Sequence, residues 1–92
     1  MAFYIVTAIQ FDATGEVELV RWVGHNSQGV VEVAEVVEAI DRGDVVEMQF
    51  AGHALGQVSG GRLRKKILPN GKVTITEATV IPGRTLFHLP RI

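Results

Sequence analysis

Val33-Ala34-Glu35-Val36-Val37-Glu38-Ala39-Ile40-Asp41-Arg42-Gly43 is the stretch on which the fold turns. Val33, Val36, Val37 and Ile40 recur at the i, i+3, i+4, i+7 spacing, so they line one side of a helix. A strand reading fails, because alternation would place Glu35 on one face with Val31, Val33 and Val37. Glu38 stands four residues before Arg42, a helical ion pair worth a few tenths of a kcal/mol. Arg42 also lies at the negative end of the helix dipole, and Gly43 supplies a left-handed stop. A helix with one apolar stripe exists to cover a sheet.

The strands lie on both sides of it. Phe3 to Phe11 alternates with Phe3, Ile5, Thr7, Ile9 and Phe11 on one face and Tyr4, Val6, Ala8 and Gln10 on the other. Both faces are apolar, which suits a strand inside the sheet. Asp12-Ala13-Thr14-Gly15 turns the chain, and Glu16 to Val23 returns as a second strand, predicting an antiparallel hairpin. Val17, Leu19 and Val23 share a face with Arg21, while Val20 and Trp22 share the other. Gly24 to Gly29 is a polar loop, and Val30 to Glu32 a short extended piece before the helix. Val45 to Phe50 reads as a third strand, Ala51 to Gly61 as a glycine-rich loop, and Arg62 to Leu68 as a fourth strand with Leu63 and Ile67 inward. Pro69-Asn70-Gly71 is a hairpin turn, and Lys72 to Val80 pairs back as a fifth strand. Arg84 to Ile92 is an apolar tail.

Ninety-two residues suit a single domain over 1–92. Such a chain buries about 60–65 % of its unfolded surface, so it folds with little margin. The absence of cysteine excludes disulfides, thiolate catalysis and zinc-thiolate sites. A formal charge of −1 gives no overall field toward nucleic acid or anionic lipid. Met1 to Ile9 lacks a basic leader and a cleavage pattern, and is far short of the roughly 20 apolar residues of a membrane span. The expectation is a soluble, cytoplasmic protein without membrane contact. Yet the hydrophobic share is 47 %, which is rich for so small a domain. Either both sheet faces are covered or part of the surface is an interface.

The succession of Tyr4-Ile5-Val6-Thr7-Ala8-Ile9, the helix Glu35 to Gly43, the basic and apolar alternation of Arg62 to Leu68, Val73-Thr74-Ile75-Thr76 and the closing Leu86-Phe87-His88-Leu89-Pro90 resembles the small bacterial domain-of-unknown-function family 3892. The likeness spans nearly the whole chain, and the terminal Leu-x-x-Leu-Pro is its most distinctive part. Thr85 stands where that family usually has Asn, and Glu32 where many members start the helix with Ser or Thr. The family has no established activity, so the resemblance implies a fold and no catalytic residues.

Arg62, Arg64, Lys65 and Lys66 form the one charge cluster that invites a function. On a strand Arg62, Arg64 and Lys66 project to one side about 6–7 Å apart, close to phosphate spacing on a single nucleic-acid strand. The competing reading is a solvated face, or charges that keep an edge strand from pairing. Gly60-Gly61 leads into a strand and not a helix, so no nucleotide site is expected. His25, His53 and His88 have no partner at helical spacing, and no metal site is expected. Ser27 and Ser59 lack a nucleophile-elbow context. Asp12, Asp41 and Asp44 have ordinary places in turns or at the helix end; Glu35, Glu38 and Glu47 could in principle gather as carboxylates, but the helical pair is better explained as the wet face. Tyr4 and Trp22 read equally as core aromatics or interface anchors.

The sequence therefore predicts an α+β fold, an antiparallel sheet of about five strands in the order β-β-α-β-β-β with one amphipathic helix on one face. Val36 and Val37 are expected against Ile5 or Ile9. The second face, with Tyr4, Val6, Val20 and Trp22, is expected under the tail and a second copy of the chain. The function expected is a non-enzymatic protein-interaction module that self-associates as a homodimer, without cofactor, its protein partner unknown. The alternative is an accessory nucleic-acid-binding domain using Arg62 to Lys66.

Overall fold

The computed structural model describes residues 2–25, 27–51 and 57–92. The elements are β1 (Phe3–Phe11), β2 (Val17–Gly24), β3 (Gln28–Glu32), α1 (Val33–Asp41), β4 (Val45–Ala51), β5 (Gln57–Ile67) and β6 (Val73–Glu77), followed by a 3-10 turn at Leu86–His88. The class is α+β, but the sheet has six strands in the order β3-β2-β1-β4-β5-β6 and is mixed. Two things separate it from the expected five-stranded antiparallel sheet. The piece before the helix is a full edge strand, paired with β2 from Leu19↔Glu32 to Val23↔Gln28. And α1 acts as a crossover, so β4 joins β1 in the parallel sense, from Phe3↔Val45 to Val6↔Met48.

The helix follows the sequence period. Val36, Val37 and Ala39 are buried, with Val33 and Ile40 half-buried against the same cluster. Gly43 takes φ +91°, and its N–H reaches the Ile40 carbonyl at 3.0 Å. Glu32 occupies the N-cap without a side-chain cap. The expected pair with Glu38 is replaced. Arg42 donates from Nη2 and Nε to Asp44 Oδ2 at 3.0 and 3.3 Å. That carboxylate is already held by the Ala2 N–H at 2.9 Å, so only one long side chain has to be ordered.

The expected division of β1 into two faces does not hold. Its register with β2 slips between Val6↔Trp22 and Ala8↔Arg21, leaving Thr7 as an extra residue. One inserted residue reverses every side chain after it. Tyr4 and Val6 before the bulge therefore share the core with Ile9 after it, and Phe11 packs against them. A second slip at Glu18 does the same for β2, placing Val17 in the core beside Val20 and Trp22. The helix thus covers the Tyr4–Val6–Trp22 face, and Val36 and Val37 share a cluster with Ile9 but not Ile5.

The tail docks with Tyr4, Val6, Val20 and Trp22 as expected, but it shares that face with the helix instead of lying opposite to it. Leu86 and Leu89 enter the same core as Val36 and Val37. Its last residues lie alongside β1, with Ile9 N–H on the Pro90 carbonyl and Ile92 N–H on the Ile9 carbonyl, both at 3.0 Å. Thr85 caps the 3-10 turn through His88 Nδ1, which accepts from the Thr85 N–H at 3.3 Å and lies 2.8 Å from its hydroxyl. Phe87 stacks on Phe11, with ring centroids 5.0 Å apart.

The glycine-rich stretch read as a loop belongs in part to β5. Residues up to Arg62 pair with β4, and those from Leu63 pair with β6. At the change, Gly60 is the extra residue of a bulge opposite β4, and Gly61 takes φ +85°. A Cβ on Gly60 would come within 2.4 Å of Phe50 and 2.9 Å of Met48, so a larger residue cannot hold this bend. Leu63 is buried as expected, but Ile67 is 67 % exposed, because it forms with Val73 the last pair before the turn.

Candidate interaction surface

The four basic residues are all exposed on β5 but do not act as one stripe. Arg62 pairs across the sheet with Glu47 at 3.9 Å. Lys65 turns to the helix side and reaches Asp41 Oδ1 at 2.9 Å. Lys66 lines a cleft with Glu77, whose carboxylate it helps keep ionised. Arg64 makes only a hydrogen bond to the Lys65 carbonyl, at 3.2 Å. Three of the four cations thus have an acidic neighbour, and a phosphate would compete with carboxylates already in place.

Three carboxylates serve the fold. Asp12 organises the first hairpin, accepting from the Thr14 hydroxyl at 2.6 Å and from the N–H groups of Thr14 and Glu16. The Thr14 hydroxyl and the Glu16 N–H hold its carboxyl below the usual carboxylate range. Asp44 is lowered similarly, first by the Ala2 N–H and then by Arg42. Burial pushes the Glu77 carboxyl up, but the Leu86 N–H at 2.8 Å and the Thr76 hydroxyl outweigh it and leave it lowered. Ser27 accepts from Trp22 Nε1 at 3.2 Å, and Ser59 Oγ accepts from the Gly61 N–H at 3.2 Å. Neither serine is poised as a nucleophile. Among the described residues no three His, Asp or Glu side chains gather at metal-binding distance; His53 lies outside them. No helix among them is long and apolar enough to cross a membrane.

Tyr4 and Trp22 resolve as core residues. Their rings stack at 4.1 Å under the helix, at the floor of a cleft rimmed by Glu35, Glu38 and Arg42.

Among the described residues, neither the helix nor the tail covers the other face of the sheet. Alternation opposite the buried set turns Phe3 and Ile5 outward on β1. Val23 lies directly across from Ile5, Val45 across from Phe3, and Val30 across from Arg21. Phe3, Val23 and Val30 are 48 %, 49 % and 45 % exposed, and Ile5 and Val45 are half-buried. Arg21 on β2 and the Glu47–Arg62 pair on β4 and β5 rim these residues. The face left open is not the Tyr4, Val6, Val20 and Trp22 face that the residue pattern predicts, because the bulge at Thr7 brings Ile9 onto that face beneath the helix.

Comparison of the chain with protein-family models, with curated proteins and with solved structures finds no match.

Proposed function

We propose that this domain is a small, non-enzymatic interaction module that self-associates as a homodimer through the outer face of its sheet. The observation that carries this reading is the Phe3, Ile5, Val23, Val30 and Val45 patch, which neither the helix nor the tail reaches. Bringing two copies together there would bury apolar surface that a single chain leaves wet. A non-enzymatic role is favoured because Asp12, Asp44 and Glu77 are engaged in turns and caps, and Ser27 and Ser59 hold neighbouring N–H groups. We also propose membership of domain-of-unknown-function family 3892, on the succession of motifs quoted above; it adds no residue to the surface.

Sedimentation of the full chain from low micromolar to about 1 mM tests the reading. The expected mass rises from one to two copies, whereas Val23→Lys stays monomeric with an unchanged thermal unfolding curve. A parent chain that remains monomeric throughout contradicts it. Nucleic-acid binding by Arg62, Arg64, Lys65 and Lys66 is the second reading, supported by the exposure of all four side chains. Its test is a salt titration with single-stranded oligonucleotides, where phosphate contacts must weaken steeply as salt rises.

A further inference from the structure

The outer face holds enough detail to say how a second copy sits on it. With about half of each side chain wet, Phe3, Val23 and Val30 offer on the order of 250 Å² of apolar surface. A stable interface needs roughly 800 Å² from each partner. The apolar centre therefore supplies about a third of the contact, and the charged rim must supply most of the rest.

That rim is unlike on its two sides. The sheet order puts β2 and β4 on opposite sides of β1, so Arg21 lies to one side of Ile5 and Glu47 to the other. A two-fold contact places the same surface on both partners, and it is favourable only where that surface complements itself. An axis across the strands would lay each strand over its own copy, leaving Arg21 on β2 and Glu47 on β4 apart. An axis along β1 exchanges the sides, carrying β2 of one copy over β4 of the other.

We propose that two copies pack face to face about a two-fold axis running along β1, with the apolar residues around Ile5 at the centre and Arg21 of each copy against the partner's Glu47. This rests on the self-association proposed above and adds its geometry. The two sheets are then aligned, with strands crossing at about 30°, as in sandwiches. Arg21 extends about two residues further along β1 than Glu47, being opposite Ala8 where Glu47 is opposite Ile5; a long arginine side chain and that crossing angle span the offset. Glu47 also stands 3.9 Å from Arg62 Nε of its own chain, so in the dimer each Glu47 carboxylate lies between two guanidiniums.

Charge reversal with mixing tests the arrangement. Arg21→Glu and Glu47→Arg each place like charges at both copies of the contact and should weaken homodimer formation about tenfold or more. Mixing the two variants restores unlike charges at both contacts, so a heterodimer should form about as tightly as the parent dimer, seen by sedimentation with one variant fluorescently labelled. Thermal unfolding of each variant alone verifies that it is folded. If both single variants dimerise like the parent, or the mixture gains nothing over either alone, the axis along β1 is wrong. Should Val23→Lys still dissociate the dimer in that case, the outer face stands as the interface and only its geometry falls. A monomeric parent chain overturns both.

Discussion

The two faces of one sheet have opposite fates. On the helix side Val6, Ile9, Val20, Val36, Val46 and Met48 are sealed from water, and the tail adds Leu86 and Leu89. On the outer side Phe3, Val23 and Val30 keep about half of their surface wet. Both faces draw on the same alternating strands, so residue type does not decide which is closed. Position does: a nine-residue helix and a short tail close one face, and among the described residues no second helix covers the other. The difference shows how a small α+β domain can be folded and still carry an unfilled apolar surface.

Changes on the closed face should cost most. Val37→Asp would put an unpaired carboxylate into the buried cluster that holds Val36 and Ile9, a penalty comparable to the stability of a whole small domain. Circular dichroism should show an unfolded chain at 25 °C; a normal cooperative melt would mean that the helix does not seal this face. Leu89→Ala removes one tail anchor and leaves a cavity. It should lower stability by about 2–5 kcal/mol in urea unfolding. A loss under about 1 kcal/mol would show that the tail is an ornament and not part of the closed face.

A smaller effect is expected at Glu77, which holds the start of the tail turn. Its folded-state pKa lies below the ordinary 4.5. A depressed carboxyl contributes stability above its unfolded pKa, lost as pH falls through the folded value. The parent should therefore weaken below about pH 4.5, together with the similarly lowered Asp12 and Asp44. Glu77→Gln should be weaker by about 1 kcal/mol at neutral pH and show a shallower acid limb. Equal pH profiles for the two proteins would remove Glu77 from the account.

The smallest effect belongs to the exposed cations of β5. Replacing Arg62, Arg64 and Lys66 together by Ser should leave unfolding within about 1 kcal/mol of the parent, since all three are exposed. A larger loss would mean that the Arg62–Glu47 pair and the Lys66 contact with the Glu77 cleft hold the β5 bend. The contrast between the faces would then be less sharp.

The sequence made the helix plain, because Val33, Val36, Val37 and Ile40 obey a local period that packing did not override. The strands of β1, β2 and β4 were equally visible. Which way β1 faced was not. The bulge at Thr7 adds one residue with no glycine or proline to mark it, and parity after it reverses. Gly60-Gly61 looked like a loop since glycine commonly ends strands, whereas here it bends one strand between two partners. The tail's apolar residues signalled docking, but its pairing with Ile9 joins segments some eighty residues apart, which no local pattern encodes. At the candidate surface, Phe3, Ile5, Val23, Val30 and Val45 come together from four strands. Only strand order and register reveal that meeting.

The contrast between the faces is tested most directly by methyl NMR of the full chain as its concentration rises from about 10 μM to 1 mM. The methyl resonances of Ile5, Val23, Val30 and Val45 should shift progressively as the outer faces meet. Those of Val36, Val37 and Leu89, already sealed under the helix and tail, should stay in place. Concentration-dependent shifts centred on the helix and tail residues, or no shifts at all, would contradict an interface on the outer face of the sheet.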